Sequence, residues 1–438
     1  MKKIIILLGV LLSITACRND LDQFPTNIAS SDSLTDFDGV LNAAYFYQLG
    51  SATPMAVMGD FRADNAFMDE APFDEFDIYG PNLTAMEDQF FGPFYTAMYR
   101  AILSTNIVIE NSTNAGEVGE AQFLRALSYF KLVRVFGDVA INLQDAPSIT
   151  DSDLLVRQPV SDVYNNVIIP DLESAIATLP SSSNNGRATS MAAQGMLGKV
   201  FVQLGDFASA EPHLAAVVNG AGAAGFALQE NFGDIFGFAN DLNSEILFAT
   251  QVSSAIEDEY GFSEFWSWSG GLDTKSLLPL DADLIAAFDA SPGDLRRAVT
   301  IDESVMASPK FPQTDGPDHD WIELRLADVI LLYAEALNET GSSASNVLSV
   351  LDPIRTRAGL APMDPDVLSS QSAIREAIQN ERRLELAFEG QRWFDLVRTG
   401  TVSEEIGQTI DPNYHLFPIP ISEILAAGPD VITQNPGY

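Results

Sequence analysis

The stretch ERRLELAFEGQRWFDLVR, residues 381–398, places more ionisable groups beside more large apolar ones than an exposed helix needs. Glu381, Glu385 and Glu389 fall four residues apart, so on a helix they form one acidic stripe, with apolar residues at helical spacing beside it. Gly390 suits a helix C-cap that bends the chain back on itself. We therefore predict two short helices that are locked together by a network of arginine and glutamate side chains.

Like charges four residues apart repel, so the acidic stripe is tolerable only if cations face it. Three acids among four nearby arginines form a structural ion network more often than a catalytic carboxylate pair. We expect Arg382, Arg392 or Arg398 to neutralise the stripe, because they and Arg383 are the nearest cations in the sequence. The predicted structural network consists of Glu381, Arg382, Glu385, Glu389, Arg392, Asp395 and Arg398.

Length and charge restrict the class of protein. The 438 residues allow one large domain or two, and they include enough apolar residues for a sizeable core. The net charge of -38 argues against nucleic acids and anionic membrane surfaces as partners. It argues more weakly against highly sulfated or uronate-rich polymers.

The N-terminus indicates an exported protein. Lys2 and Lys3 precede an apolar run at 4–14 that is too short for a spanning helix, and small residues lead to Cys17, the single cysteine. Residues 14–17, ITAC, resemble a bacterial lipobox, and the alternative is a chance cysteine after an ordinary signal. We predict a signal peptide at 1–16, lipid on Cys17, a polar tether at 17–30 and no other segment able to cross a bilayer.

Helical periodicity dominates the rest of the chain and predicts a mostly α-helical fold. Two helix–turn–helix units with Gly205 and Gly341 at their turns resemble tetratricopeptide repeats, and the alternative is a set of generic α-hairpins. We expect one domain over 31–438, with long irregular loops at about 220–320. Helices are predicted at 32–49, 83–109, 117–136, 163–179, 188–204, 208–218, 325–338 and 344–357, with 117–136 buried.

Two aromatic segments lack a helical or strand period. At 51–80, five aromatic residues are interleaved with acids, a pattern that suits either the capping of a core or contact with carbohydrate. At 257–271, EDEYGFSEFWSWSGG, Trp266 and Trp268 stand two apart, so in an extended loop their side chains point to opposite sides.

Aromatic faces bind the apolar faces of sugar rings, so we expect at least one of these tryptophans to contact a glycan. The alternative is that one or both fill the core beneath the loop. The predicted glycan-binding residues are Trp266, Trp268, Tyr260, Phe265, Trp321 and Asp64, with Glu264 and Asp273 as possible hydrogen-bonding neighbours.

Eight further segments belong with residues 381–398: 120–138, 171–173, 186–189, 243–248 (NSEILF), 325–338 (RLADVILLYAEALN), 354–360 (IRTRAGL), 416–420 (LFPIP) and 434–438 (QNPGY). Together, and in this order along the chain, these motifs resemble those of the SusD/RagB family, the cell-surface glycan-binding lipoproteins of Bacteroidota. The resemblance implies a SusD-like helical fold, a lipid anchor on the outer membrane and capture of oligosaccharide or polysaccharide during nutrient uptake. It also implies delivery to a SusC-like, TonB-dependent transporter.

The sequence lacks a nucleophile elbow, a phosphate-binding glycine loop and a cysteine cluster, so we expect no enzyme activity, cofactor or metal. The run at 315–320, DGPDHD, could ligate calcium, but its spacing is not that of a known calcium loop and favours a polar loop. Carboxylates abound without one distinctive pair. A lipid-anchored glycoside hydrolase and a scaffold that binds only protein therefore remain as alternatives.

Overall fold

The structure is a computed structural model, and it describes residues 35–68, 70–148, 151–182, 185–252, 280–311 and 319–438. The predicted residues Cys17, Tyr260, Phe265, Trp266 and Trp268 lie outside these ranges. Within them the α-helices are α1 (Asp38–Tyr47), α2 (Ala52–Ala56), α3 (Glu75–Ile78), α4 (Gly92–Asn111), α5 (Ala115–Phe136), α6 (Val160–Val163), α7 (Ile169–Thr178), α8 (Ser190–Gln203), α9 (Phe207–Ala224), α10 (Ala282–Asp289), α11 (Arg297–Thr300), α12 (Leu326–Glu339), α13 (Ala344–Arg357), α14 (Gln371–Leu386), α15 (Arg392–Thr399), α16 (Val402–Glu405) and α17 (Ile421–Ala427).

Two short antiparallel ribbons interrupt the helices of the described part. Strand β1 (Val139–Ala140) pairs with β2 (Arg157–Gln158), and β3 (Ile246–Thr250) pairs with β4 (Trp321–Arg325). In the second ribbon every residue of both strands is buried, and the register shifts between Ile246 and Ala249. The ribbon therefore pairs a strand inside the predicted loop-rich segment at about 220–320 with the strand that leads directly into α12.

Consecutive helices pack against each other and form a stack that confirms the mostly α-helical fold. Helices α4 and α5, α5 and α7, α7 and α8, α8 and α9, and α12 and α13 are neighbours, and α12 also packs on α9 and α14. Gly205 and Gly341 occupy the hairpin turns with φ of 72° and 85°, a conformation that glycine adopts without steric cost. Helix α5 is buried along most of its length, as predicted.

Residues 51–66 differ from the loop that we predict for them. Helix α2 continues into a π-helical turn, Val57–Phe61, and the side chains of residues 48–66 are buried almost without exception. A helix that is buried on all sides has no polar face, so it shows no hydrophobic period in the sequence. Phe61 and Phe76 are fully buried, so this segment contributes to the core rather than covering it from outside.

The turn between α14 and α15 also differs from prediction. Helix α14 ends at Leu386, and Phe388 and Gly390 both adopt positive φ, so Gly390 belongs to a tight turn rather than capping the helix. The carboxylate of buried Asp60 accepts hydrogen bonds from the Phe388 and Gly390 amides at 3.0 and 2.6 Å. The π-helical turn of residues 57–61 therefore holds this second turn in place.

Candidate functional site

Arg325 lies at the centre of the ions around the acidic stripe. Its Nε donates to Glu389 Oε2 at 2.7 Å, and its Nη1 donates to Glu245 Oε1 at 2.8 Å and to Glu385 Oε1 at 2.7 Å. Other cations complete what we call the buried ion network: Arg296 pairs with Asp294, Glu381 and Glu385, Lys310 with Glu389, Arg355 with Glu381, and Arg357 with Glu245 and Glu385. Except for Arg355, these side chains are at least 95% buried.

The partners of the stripe are therefore not the cations nearest in sequence. Arg382 pairs with Asp328 and Asp395, Arg383 and Arg392 pair with Asp64, and Arg398 pairs with Glu335 and Asp395. The expectation that Arg382, Arg392 or Arg398 neutralises Glu381, Glu385 and Glu389 is wrong. On a helix, residues adjacent in sequence project about 100° apart, so the arginines next to the stripe face other elements.

In the buried ion network, the cations lower the pKa of the carboxylates by more than burial raises it. Burial alone would raise the pKa of Glu385, but the guanidinium groups of Arg357, Arg325 and Arg296 hold its pKa well below the usual range. The pKa of Glu389 is lowered against burial in the same way, by Arg325 and Lys310. These carboxylates are ionised and already occupied by cations, so this arrangement favours a structural role over proton transfer.

Two of the predicted glycan-binding residues are covered in this structure. Trp321 is 3% exposed at the start of β4, and a side chain at Gly390 would meet its ring. Asp64 is also 3% exposed, and it accepts two hydrogen bonds of 2.7 Å from Arg392. Either residue would have to be uncovered before it could touch a ligand.

The residues on either side of the segment that carries Trp266 and Trp268 are held by hydrogen bonds. Before it, β3 leads to Val252, whose amide donates to Asp320 Oδ1 at 2.9 Å. After it, Leu280 pairs with Ala66, and the amide of Asp281 donates to the Asn65 carbonyl at 3.1 Å. Along the chain, the segment at 253–279 thus connects the buried ribbon to residues that contact the other aromatic and acidic segment, 51–80.

Beside the first of these ends lie two depressions that share Phe248 in their lining, which we call the Phe248 cleft. One has a volume of about 220 Å³ and is lined by Asn42, Tyr45, Phe46 and Gln251 among others. The second has a volume of about 410 Å³ and includes Arg187. Partly exposed aromatic rings, amides and one arginine in an open cleft are groups that bind sugar rings and hydroxyls.

Arg187 joins the two depressions. Its guanidinium lies 4.9 Å from the centre of the Tyr45 ring, and it donates to Glu120 Oε2 at 3.2 Å and to Asn42 Oδ1 at 2.5 Å. The Tyr45 hydroxyl donates to the same carboxylate at 2.6 Å. Cation, ring and carboxylate fix one another, so this wall of the cleft is formed before any ligand arrives.

Acids surround both ends of the 253–279 segment. Burial, together with the nearby carboxylate of Asp241, raises the pKa of Asp320 to about 7. Burial also raises the pKa of Asp77 to about 7, and the carboxylates of Asp281 and Asp74 act in the same direction. In the described ranges no group of three His, Cys, Asp or Glu side chains could hold a metal ion. None of the helices described there is long and apolar enough to cross a membrane.

Seven members of the buried ion network were not predicted from the sequence: Glu245, Asp294, Arg296, Lys310, Arg325, Arg355 and Arg357. Four of them stand inside motifs that we quote, namely Glu245 in NSEILF, Arg325 in RLADVILLYAEALN, and Arg355 and Arg357 in IRTRAGL. A charged residue within an apolar motif must find a partner when the motif is buried. That signal could have identified these residues, although it could not have paired them.

Comparison with family profiles matches the two ends of the chain. The profile described as "SusD family" matches residues 298–438. A second profile, described as "Starch-binding associating with outer membrane", matches residues 17–202.

Individual proteins are similar along most of the chain. A SusD-like protein P2 of Formosa agariphila is 28% identical, over 75% of this chain and 75% of that protein. A SusD-like protein of Bacteroides ovatus is 26% identical, over 90% of this chain and 82% of the relative. The structure of a SusD homolog from Bacteroides thetaiotaomicron superposes with a TM-score of 0.78 at 20% identity, over 97% of this chain and all of that one. A laminarin-binding SusD-like protein superposes with a TM-score of 0.75 at 23% identity, over 92% of this chain and 99% of the other.

Proposed function

Because the chain belongs to the SusD/RagB family, we propose that it is a lipid-anchored glycan-binding protein of the outer membrane surface. It captures oligosaccharide or polysaccharide and delivers it to a SusC-like, TonB-dependent transporter without cleaving it. The observation that carries the proposal is the preformed Phe248 cleft at the base of the segment that holds two tryptophans. A laminarin-binding protein with the same fold supports a glycan as the ligand.

In this proposal Trp266 and Trp268 provide flat apolar surfaces for sugar rings, and Tyr260 and Phe265 flank them. The amides of Asn42 and Gln251 lie at the rim of the cleft and bond hydroxyl groups. A few aromatic surfaces with polar rims give modest affinity and quick release, which a protein that passes its ligand to a transporter requires. Trp321 and Asp64 are buried, so they have a structural role in this proposal rather than that of ligand contacts.

Calorimetry on soluble polysaccharides tests the glycan site. Burying one ring face against a tryptophan contributes about 1–2 kcal/mol, so each of Trp266→Ala and Trp268→Ala should weaken binding about 5–30-fold. Phe238→Ala is the matched control, because this ring is 48% exposed and does not line the cleft. Unchanged affinity in a folded double variant would move the site to the aromatic and acidic segment of residues 60–80.

Product analysis separates the proposal from the hydrolase alternative. Incubation of the protein with a bound polysaccharide should leave the chain length unchanged over hours, whereas a glycoside hydrolase would release oligosaccharides. A protein that binds a purified SusC-like transporter and no glycan at all would instead be a scaffold of the uptake complex.

The lipid anchor is tested separately from binding. Mass spectrometry of protein extracted from membranes should find acyl chains on Cys17, and a Cys17→Ala variant should move to the soluble fraction. Wild-type protein without lipid would contradict the anchor and leave the glycan site in place.

A further inference from the structure

We propose that the Phe248 cleft selects uncharged glycans and excludes polymers that carry uronate or sulfate groups. This inference rests on the proposed function and deepens it by naming the substrate class. It follows from where the chain places its few cations.

The chain contains 61 acidic residues and only 23 lysines and arginines, and the cations are concentrated inside the fold. Arg296 and Lys310 are fully buried, and Lys131 and Arg325 are 1% exposed, each in an ion pair. Buried carboxylates require such partners, since an unpaired charge is costly in the interior. The surface therefore retains the acids without a matching set of cations.

Cations of the described ranges outside these ion pairs are engaged in other ways. Arg62 is fully buried and lies 4.9–5.2 Å from the ring centres of Tyr79, Trp393 and Phe417. Arg157 donates to the backbone carbonyls of Phe136 and Asp138, just before β1, and to that of Thr433 near the C-terminus. Neither can turn towards an anionic ligand without losing those contacts.

The lining of the Phe248 cleft, as far as it is described, includes one cation, Arg187. Glu120 already neutralises that guanidinium, and Asn42 and the ring of Tyr45 hold it in place. The exposed Arg100 lies 5.9 Å from the ring centre of Tyr47, which is not part of the lining. An entering carboxylate would thus compete with Glu120 for a guanidinium that is already paired.

An acidic residue also lies close to one side of the cleft. Asp241 directly precedes Leu242, which lines the larger depression, and its carboxylate accepts from the amide of Asp320 at 3.2 Å. The net charge of the whole chain is -38. At physiological ionic strength the Debye length is about 8 Å, so the approach of a polyanion along this surface is repulsive. Proteins that bind uronates or sulfates need free Arg or Lys side chains, or a bound divalent cation.

The test compares each neutral polysaccharide with an anionic derivative of the same backbone. Laminarin and pullulan are paired with their carboxymethyl and sulfate derivatives, and alginate and polygalacturonate complete the panel. At about 20 mM NaCl the derivatives should bind at least tenfold more weakly than the parent. At about 1 M NaCl, where the Debye length is about 3 Å, the difference should shrink to less than threefold.

A charge-gain variant locates the effect. Gln251→Lys places a cation at the exposed rim of the cleft and should reduce the discrimination at least threefold at low salt. Gln408→Lys makes the same change at an exposed glutamine outside the cleft lining and should leave it unaltered. An equal reduction in both variants would overturn the assignment to the cleft.

The outcomes separate this inference from the proposed function. Equal or tighter binding of the anionic derivatives, or binding of them that appears only with added CaCl2 and disappears with EDTA, overturns the selection of uncharged glycans while glycan binding stands. If the protein binds neither the neutral polysaccharides nor their anionic derivatives, the proposed function itself is contradicted. Preferential binding of a neutral polysaccharide, unaffected by EDTA, supports both.

Discussion

At the scale of single residues, the fold depends on charges that water does not reach. Glu385 is completely buried and faces three guanidinium groups, and the cost of removing these ions from water is offset only while all of them are present. Arg62 is stabilised differently, because three aromatic faces and two backbone carbonyls surround it. The loss of one partner is therefore more damaging than the loss of an ordinary surface ion pair.

Replacing Glu385 tests this dependence. Glu385→Gln keeps the size of the side chain but leaves Arg325, Arg357 and Arg296 with one charge fewer to face. We expect a loss of about 3–5 kcal/mol in the free energy of unfolding, measured by urea denaturation. Glu376→Gln on the same helix is the control, since Glu376 is exposed and should change stability by less than about 0.5 kcal/mol. Similar midpoints for the two variants would show that the network is not needed for stability.

At the scale of elements, the contact between the π-helical turn at 57–61 and the turn at 387–390 sets the position of α15. A Cβ atom on Gly59 would lie 2.3 Å from the backbone carbon and oxygen of Gly390, so the two backbones touch directly. The Asp60 carboxylate accepts hydrogen bonds from both ends of the same turn. Its burial raises the pKa of this carboxyl to about 6.

A single methyl group tests this contact. Gly59→Ala should separate the two turns and cost about 2–3 kcal/mol, since overpacking against backbone cannot be relieved by a rotamer change. Gly39→Ala is the matched control, because a Cβ on that helical glycine meets nothing within 4 Å. Alanine is the better helix former, so the control should be neutral or slightly stabilising in thermal unfolding. A Gly59→Ala protein that melts with the control would mean that the two turns can move apart freely.

The helices and turns also show how much of the fold could be predicted from the sequence. Helices α5, α12 and α13 lie within about two residues of prediction, because their apolar faces and turn glycines are local signals. Helix α2 and the π-helical turn were missed because burial on every side removes the hydrophobic period. The partners of Glu385 were missed because they come from residues 28 to 89 positions away, and ion pairs between distant segments leave no local pattern.

Aromatic loop residues were harder still to interpret. Phe61 and Phe76 are core residues, although the acids between them resemble those of a binding loop. Trp321 is likewise a core residue, because it begins a buried strand. The sequence shows that these rings need apolar contact and does not distinguish a sugar from the core as the source of that contact.

At the scale of the whole molecule, two populations of buried carboxylates give stability opposite dependences on pH. The folded-state pKa values of Asp328, Glu385 and Glu389 are lowered by cations, so their contribution is present above pH 4–5 and is lost on acidification. Burial raises the folded-state pKa of Asp60 to about 6 and that of Asp77 and Asp320 to about 7. Their contribution is complete below pH 4 and is lost as the pH rises through 6 and 7.

We therefore expect maximal stability near pH 5, with a decline towards pH 8 on the order of 1 kcal/mol from Asp60 and on the order of 3 kcal/mol from each of Asp77 and Asp320. Urea denaturation from pH 3 to 8 measures the curve. Asp320→Asn, in which the amide oxygen can still accept from Val252, should flatten the alkaline side. Exposed Asp430→Asn removes one surface charge and should leave the slope as it is. A flat wild-type profile from pH 5 to 8 would contradict the raised values.

The contact between Asp60 and the turn at 387–390 joins positions that are about 330 residues apart in the chain. Arg392 and Asp64 span 328 residues in the same way. During synthesis, the N-terminal quarter of the protein therefore cannot complete its core until the C-terminal quarter has been made. Closing so long a loop also makes folding slow. A chain that stops before residue 381 would leave Arg325, Arg357 and Arg296 without their C-terminal carboxylates, so a premature end of translation yields a product for proteolysis rather than a smaller domain.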